Sequence, residues 1–131
     1  MSELYDDLDE LPPRPRKSIP AADRELLELA ARAINADFEE LEGEGCATLH
    51  FPDGSKAHGW NPLQFSDDAF ELAVRLRLEV YIHENDTRAV SGNLASAVEQ
   101  HRQDPSAATR RAIVRAAAEI IRGLRFLNEI S

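Results

Sequence analysis

The chain predicts a small α+β domain built as helix, β-hairpin, helix, strand or strands, and helix, behind a flexible acidic and proline-rich tail. Three observations carry that prediction. Apolar residues recur at helical spacing in three separated segments, Pro52-Asp53-Gly54 divides two short apolar runs, and Leu78-Glu79-Val80-Tyr81-Ile82 alternates with the period of a half-buried strand. The boundaries follow from composition: residues 1–19 read as tail and residues 20–131 as one domain. A domain of about 110 residues buries roughly two-thirds of its unfolded surface without disulfides or metals.

The tail combines Asp6, Asp7, Asp9 and Glu10 with Pro12, Pro13 and Pro15, a composition that sustains no core of its own. Leu4, Tyr5, Leu8 and Leu11 nevertheless fall at helical spacing, so this segment can present an apolar stripe to a partner. The first helix runs from Pro20 to about Asn35, with Leu26, Leu29, Ala30, Ala33 and Ile34 on one stripe. The acidic, glycine-bearing stretch from Asp37 to Gly45 reads as a break. Residues 46–51 and 55–60 then flank Asp-Gly as a hairpin.

Ser66 suits the N-cap of the second helix, Asp67 and Asp68 sit where the dipole favours negative charge, and Phe65 with Phe70 fits a hydrophobic staple. Ala69, Leu72, Ala73 and Leu76 supply its buried face. The strand at 78–82 follows, with Asn85-Asp86 as a turn. Residues 88–103 read either way, helix through Leu94, Ala97, Val98 and His101 or strand near 97–102. The strand reading is preferred because a lone strand wants a neighbour. Asp104 as N-cap and Pro105 at the first helical position open the last helix, with Ala112, Ile113, Ala116, Ala117, Ile120, Leu124 and Leu127 as its apolar face. On its other side Glu119 stands four residues after Arg115, and Gly123 either ends the regular helix or permits close packing.

Composition narrows function by exclusion. Cys46 is the only cysteine, so no intramolecular disulfide can form, which fits a reducing compartment. No apolar run approaches the roughly 18 residues of a membrane span, and the acidic N-terminus is unlike a signal peptide. A cytosolic protein is expected. The net charge of −9 repels a phosphate backbone at long range and favours a protein partner with a basic surface.

Trp60-Asn61-Pro62-Leu63, followed by Asp67-Asp68-Ala69 and Leu72-Ala73-Val74-Arg75-Leu76, resembles a pattern in small accessory proteins of tailed bacteriophages and prophages. The run from Ala107 through Ala112-Ile113-Val114 to Ile120 is similar to the C-terminal helix of the same proteins, which are related to the NinX-like group of lambdoid phages. The resemblance spans residues 26–122. It implies a phage accessory protein acting in the bacterial host cytoplasm, and it brings neither an activity nor catalytic residues. The glycine that often stands among the acids of the first motif is absent here, where Phe65-Ser66-Asp67-Asp68 runs straight into the helix.

Residues with chemical potential are few. His50 and His58 flank the hairpin and would share a metal only if they faced each other, and a third ligand has no obvious position. Cys46 begins a strand and reads as a small core residue before it reads as a nucleophile. Asp67 and Asp68 are explained by the helix dipole as well as by acid–base or Mg²⁺ chemistry. No catalytic residue, metal site or cofactor is therefore assigned. The expected function is a non-enzymatic modulator that binds a host or phage protein. Its candidate contacts are Leu4, Tyr5 and Leu8 in the tail with Trp60, Asn61, Asp67 and Asp68 in the domain, Trp60 being a natural anchor if exposed. The alternative is a nucleic-acid-binding factor using Arg110, Arg111, Arg115, Arg122 and Arg125 of the last helix as phosphate donors.

Overall fold

A computed structural model describes residues 18–130 as three helices and two antiparallel three-stranded sheets, a small α+β domain. The sequence expectations for the tail, including Leu4, Tyr5 and Leu8, lie outside the described residues. Helix α1 spans Ala21–Ala33. Leu26, Leu27, Leu29, Ala30 and Ala31 are buried, while Ala33 and Ile34 are only partly so. It stops in a Schellman turn: the Ala36 amide donates to the Ala31 carbonyl, the Asn35 amide donates to Arg32, and Asn35 adopts φ 61°.

The segment from Asp37 to Gly45, expected as a break, contains strand β1 (Asp37–Leu41). Its acids lower β propensity, which hid it. The strand needs only one face, however: Phe38 turns to the core and Glu40 meets Arg24. As an edge strand it carries charge where unpaired backbone is otherwise a liability. β1 pairs with β2 (Cys46–His50), and β2 pairs with β3 (Lys56–Trp60) around the expected turn. In that turn the Gly54 amide donates to Phe51, Gly54 adopts φ 89°, and Asp53 accepts from both the amide and the hydroxyl of Ser55. A bulge between Ala47 and Leu49 brings Trp60 opposite Ala47, with Gly59 at φ 70° beside it.

Helix α2 is Ser66–Leu76. Ser66 is its first helical residue and not its N-cap; Phe65 takes the cap position and gives no side-chain bond. The staple geometry is lost with that shift, and Phe65 and Phe70 are 42% and 68% exposed. A second Schellman turn places Arg77 at φ 53° and leads into the second sheet. There β4 (Glu79–Ile82), β5 (Asp86–Ser91) and β6 (Ala95–Gln100) form a meander in that order. Strand wins over helix at 95–100, and β5 is an additional strand that the sequence reading did not resolve.

Helix α3 runs from Pro105 to Ile130, with the Asp104 carboxylate accepting the Ala107 amide as an N-cap. It contacts α1, α2, β5 and β6. Between residues 112 and 118 only Arg115 is not buried, so this stretch is the central rod of the domain and not a surface helix with one apolar stripe. Small residues on both sides, Ala112, Ala116 and Ala117 against Ala89 and Ala97, belong to one core cluster with Leu27, Leu49, Trp60 and Leu72. Leu124 and Leu127, expected in the core, are 47% and 53% exposed because α3 extends past the sheet that covers it. Gly123 lies within the helix and does not end it.

Candidate functional site: an apolar groove rimmed by arginines

Of the domain residues expected as contacts, Trp60, Asn61 and Asp68 are tied into the fold and Asp67 is exposed. Trp60 is 5% exposed and packs edge-on against Phe38, so the exposure that would make it an anchor is missing. Asn61, 7% exposed, donates from Nδ2 to the Gly45 carbonyl and accepts the Leu63 amide at Oδ1. Asp68 accepts the Asn61 amide through Oδ2, and burial holds its carboxyl above the ordinary range, opposed by that bond and reinforced by the charge of Asp67. Asp67 is exposed on the first turn of α2. Together these contacts lock the Trp60–Leu63 corner to the start of α2.

The arginines of α3 are largely spent on the protein itself. Arg111 reaches Asp23 at 3.0 Å and Glu99 at 3.5 Å, and Arg115 reaches Glu99 at 2.8 Å. Arg122 takes Glu119 and Glu25. The expected helical partner of Arg115, Glu119, thus pairs with Arg122 while Arg115 bridges to β6. Arg110 donates to the Leu63 carbonyl and the Ser66 hydroxyl, and Arg125 alone of the five has no hydrogen bond or ion pair among the described residues. A row of phosphate donors is therefore mostly neutralised at its source.

The histidines do not converge. His50 lies opposite Lys56 and sits 2.8 Å from Glu39, whereas His58 lies 3.3 Å from Thr48. Among the described residues no three of His, Cys, Asp and Glu are grouped to hold a metal ion. A third histidine, His101, is the one buried in the fold. Its Nδ1 faces the Glu84 carbonyl at 3.2 Å and must donate, so Nε2 accepts the Thr87 hydroxyl at 2.7 Å, and Thr87 in turn accepts from Thr109 of α3 at 2.8 Å. Thr87 is fully buried, which makes this relay a clamp between the second sheet and α3.

What the surface offers is a groove of about 570 Å³ between α2, β4 and the start of α3. Its walls include Phe70 and Val74, one helical turn apart on α2, Ile82 on the edge strand β4, and Ile113 at the base of α3. Phe70, Val74 and Ile82 are 68%, 52% and 65% exposed. Apolar side chains so exposed and so close together mark interaction surfaces. The only charged residues in the lining are Arg77 and Arg110, and neither is ion-paired among the described residues. In a chain of net charge −9 the groove is a local site of positive charge.

No local sequence pattern marks this groove, since Phe70 fits a staple with Phe65 and Val74 falls within the Leu72–Leu76 motif. The available signal was an excess of large apolar residues on α2, beyond the Ala69, Leu72 and Ala73 stripe that its buried face needs. A larger cleft of about 860 Å³ runs beside β6 and α3, but Arg111 there is already held by Asp23 and Glu99. No helix among the described residues is long and apolar enough to cross a membrane. No protein-family model, curated protein or solved structure matches the chain.

Proposed function

We propose that the chain is a non-enzymatic protein-binding module whose docking surface is the groove between α2 and β4. Its occupant is a short amphipathic helix with acidic flanks, supplied by a host or phage protein in keeping with the resemblance to phage accessory proteins. The observation that carries this reading is the coincidence of exposed Phe70, Val74 and Ile82 with two arginines that make no ion pair among the described residues. Grooves of this kind take the apolar face of a helix, with charge at the rim setting orientation. Arg77 itself sits at a left-handed helix-end position, φ 53°, that glycine fills without strain.

The nucleic-acid reading has less support, since Arg111, Arg115 and Arg122 already face carboxylates. The test is affinity capture from nuclease-treated bacterial lysate with the intact chain and with a Phe70→Asp, Ile82→Asp chain. A protein captured by the first, lost with the second, and bound with the same difference after purification supports the reading. Capture that ignores both substitutions overturns it.

A further inference from the structure

The groove has a candidate ligand within its own chain. We propose that residues 4–11 form the amphipathic helix that occupies it, so that the N-terminal segment competes with external partners. The inference rests on the groove being a helix-docking surface. Leu4, Tyr5, Leu8 and Leu11 recur at i, i+1, i+4 and i+7, the anchor spacing of a groove-bound helix. Asp6, Asp7, Asp9 and Glu10 stand between them, opposite in sign to Arg77 and Arg110.

The geometry of departure agrees. The described chain begins at Ser18, and Ile19 is 5% exposed, its carbonyl accepting from Arg24. Ser18 and Ile19 line a small cleft whose opposite wall includes Leu63 and Arg110, and Arg110 also lines the apolar groove. The described chain thus begins beside a cleft that shares Arg110 with the groove. Six residues, 12–17, separate Leu11 from Ser18 and span up to about 20 Å at roughly 3.1 Å per residue in polyproline geometry. Pro12, Pro13 and Pro15 fall in that stretch, and proline does not continue a helix. A tether of this length holds its end at an effective concentration of roughly millimolar, enough to fill a site of modest intrinsic affinity.

The test compares the full chain with a full-length Leu4→Asp, Leu8→Asp chain by methyl NMR, and then titrates each with a synthetic peptide of residues 1–11. Occupancy by the segment predicts shifts at Val74, Ile82 and Ile113 but not at Val90, unchanged on dilution, and peptide binding about tenfold or more tighter to the substituted chain. Identical methyl spectra with equal peptide binding to both chains overturn the proposal and leave the groove as a docking surface. Shifts that disappear on dilution overturn it in favour of a second copy as occupant. A peptide that binds neither chain at the groove, with identical spectra, removes the docking surface as well.

Discussion

The Asp68 carboxylate accepts the Asn61 amide across the corner that leads into α2, at 2.9 Å. The bond ties a loop to a helix start, yet it does not compensate for the burial of the carboxylate. Desolvation raises the Asp68 pKa above its ordinary 3.8, the Asn61 amide lowers it, and Asp67 raises it further. The folded chain consequently holds this proton more tightly than the unfolded chain does. Its stabilising contribution is full below the ordinary value and is lost as pH rises through the folded value. Asp68→Asn keeps an acceptor and removes the charge. Its stability relative to the parent should therefore improve as pH is raised from 3.5 to 7, read by urea denaturation at each pH. A difference that stays flat across that range contradicts the account.

Asn61 carries the other half of the corner. Replacing it with alanine leaves the Gly45 carbonyl without its Nδ2 donor and the Leu63 amide without its acceptor. With the site buried, a loss of about 2–3 kcal/mol is expected, since each orphaned group costs about 1–3 kcal/mol before water compensates. Chemical denaturation measures it. If the residue were a surface contact for a partner, the same substitution would change stability by less than about 0.5 kcal/mol.

These two residues show what was readable in the chain and what was not. The α+β class, the Asp53-Gly54 hairpin, the Asp104 cap and the strand at 79–82 follow from local rules, because turn chemistry, capping and alternation act within a few residues. β1 was missed since its only core commitment is Phe38 among acids, and β5 since its inward residues, Thr87, Ala89 and Ser91, are small and partly polar. Both are strands defined by a neighbour, and pairing is not local. The site fared likewise. Trp60 and Asn61 are conspicuous in the sequence and buried in the fold, whereas Phe70, Val74 and Ile82 become a surface only when α2 and β4 meet.

The Thr87 hydroxyl sits between His101 and Thr109, so Thr87→Val keeps the volume and removes the middle of the relay. His101 Nε2 is then buried without a donor. A loss of about 1–3 kcal/mol is expected, with the β5–β6 hairpin and the start of α3 affected first. Hydrogen exchange should show faster exchange there than in β1–β3. Uniform exchange at the parent level would mean that the relay does not clamp the sheet.

Gly123 offers the opposite sign. It lies inside α3 without positive φ, and an added Cβ would meet only the Leu94 carbonyl oxygen, at 4.0 Å, an ordinary contact. Gly123→Ala should stabilise the protein by about 0.5–1 kcal/mol through helix propensity, measured as a rise in thermal midpoint. A fall would show that the end of α3 needs the glycine for an approach closer than the fold displays.

Arg77 separates stability from binding. Its φ of 53° closes α2 in a Schellman turn, where the Leu78 amide donates to Ala73 and the Arg77 amide donates to Val74. A non-glycine residue there carries a left-handed cost of roughly 1 kcal/mol, and glycine would relieve part of it. Arg77→Gly should therefore raise or hold stability, while removing one of the two cations that line the groove. If the groove takes an acidic amphipathic helix, the variant should bind a peptide of residues 1–11 several-fold more weakly than a lysine variant does, with the difference shrinking as salt is raised. Affinity equal to that of the lysine variant at low salt would assign Arg77 to the turn alone and leave Arg110 as the cation that orients the ligand.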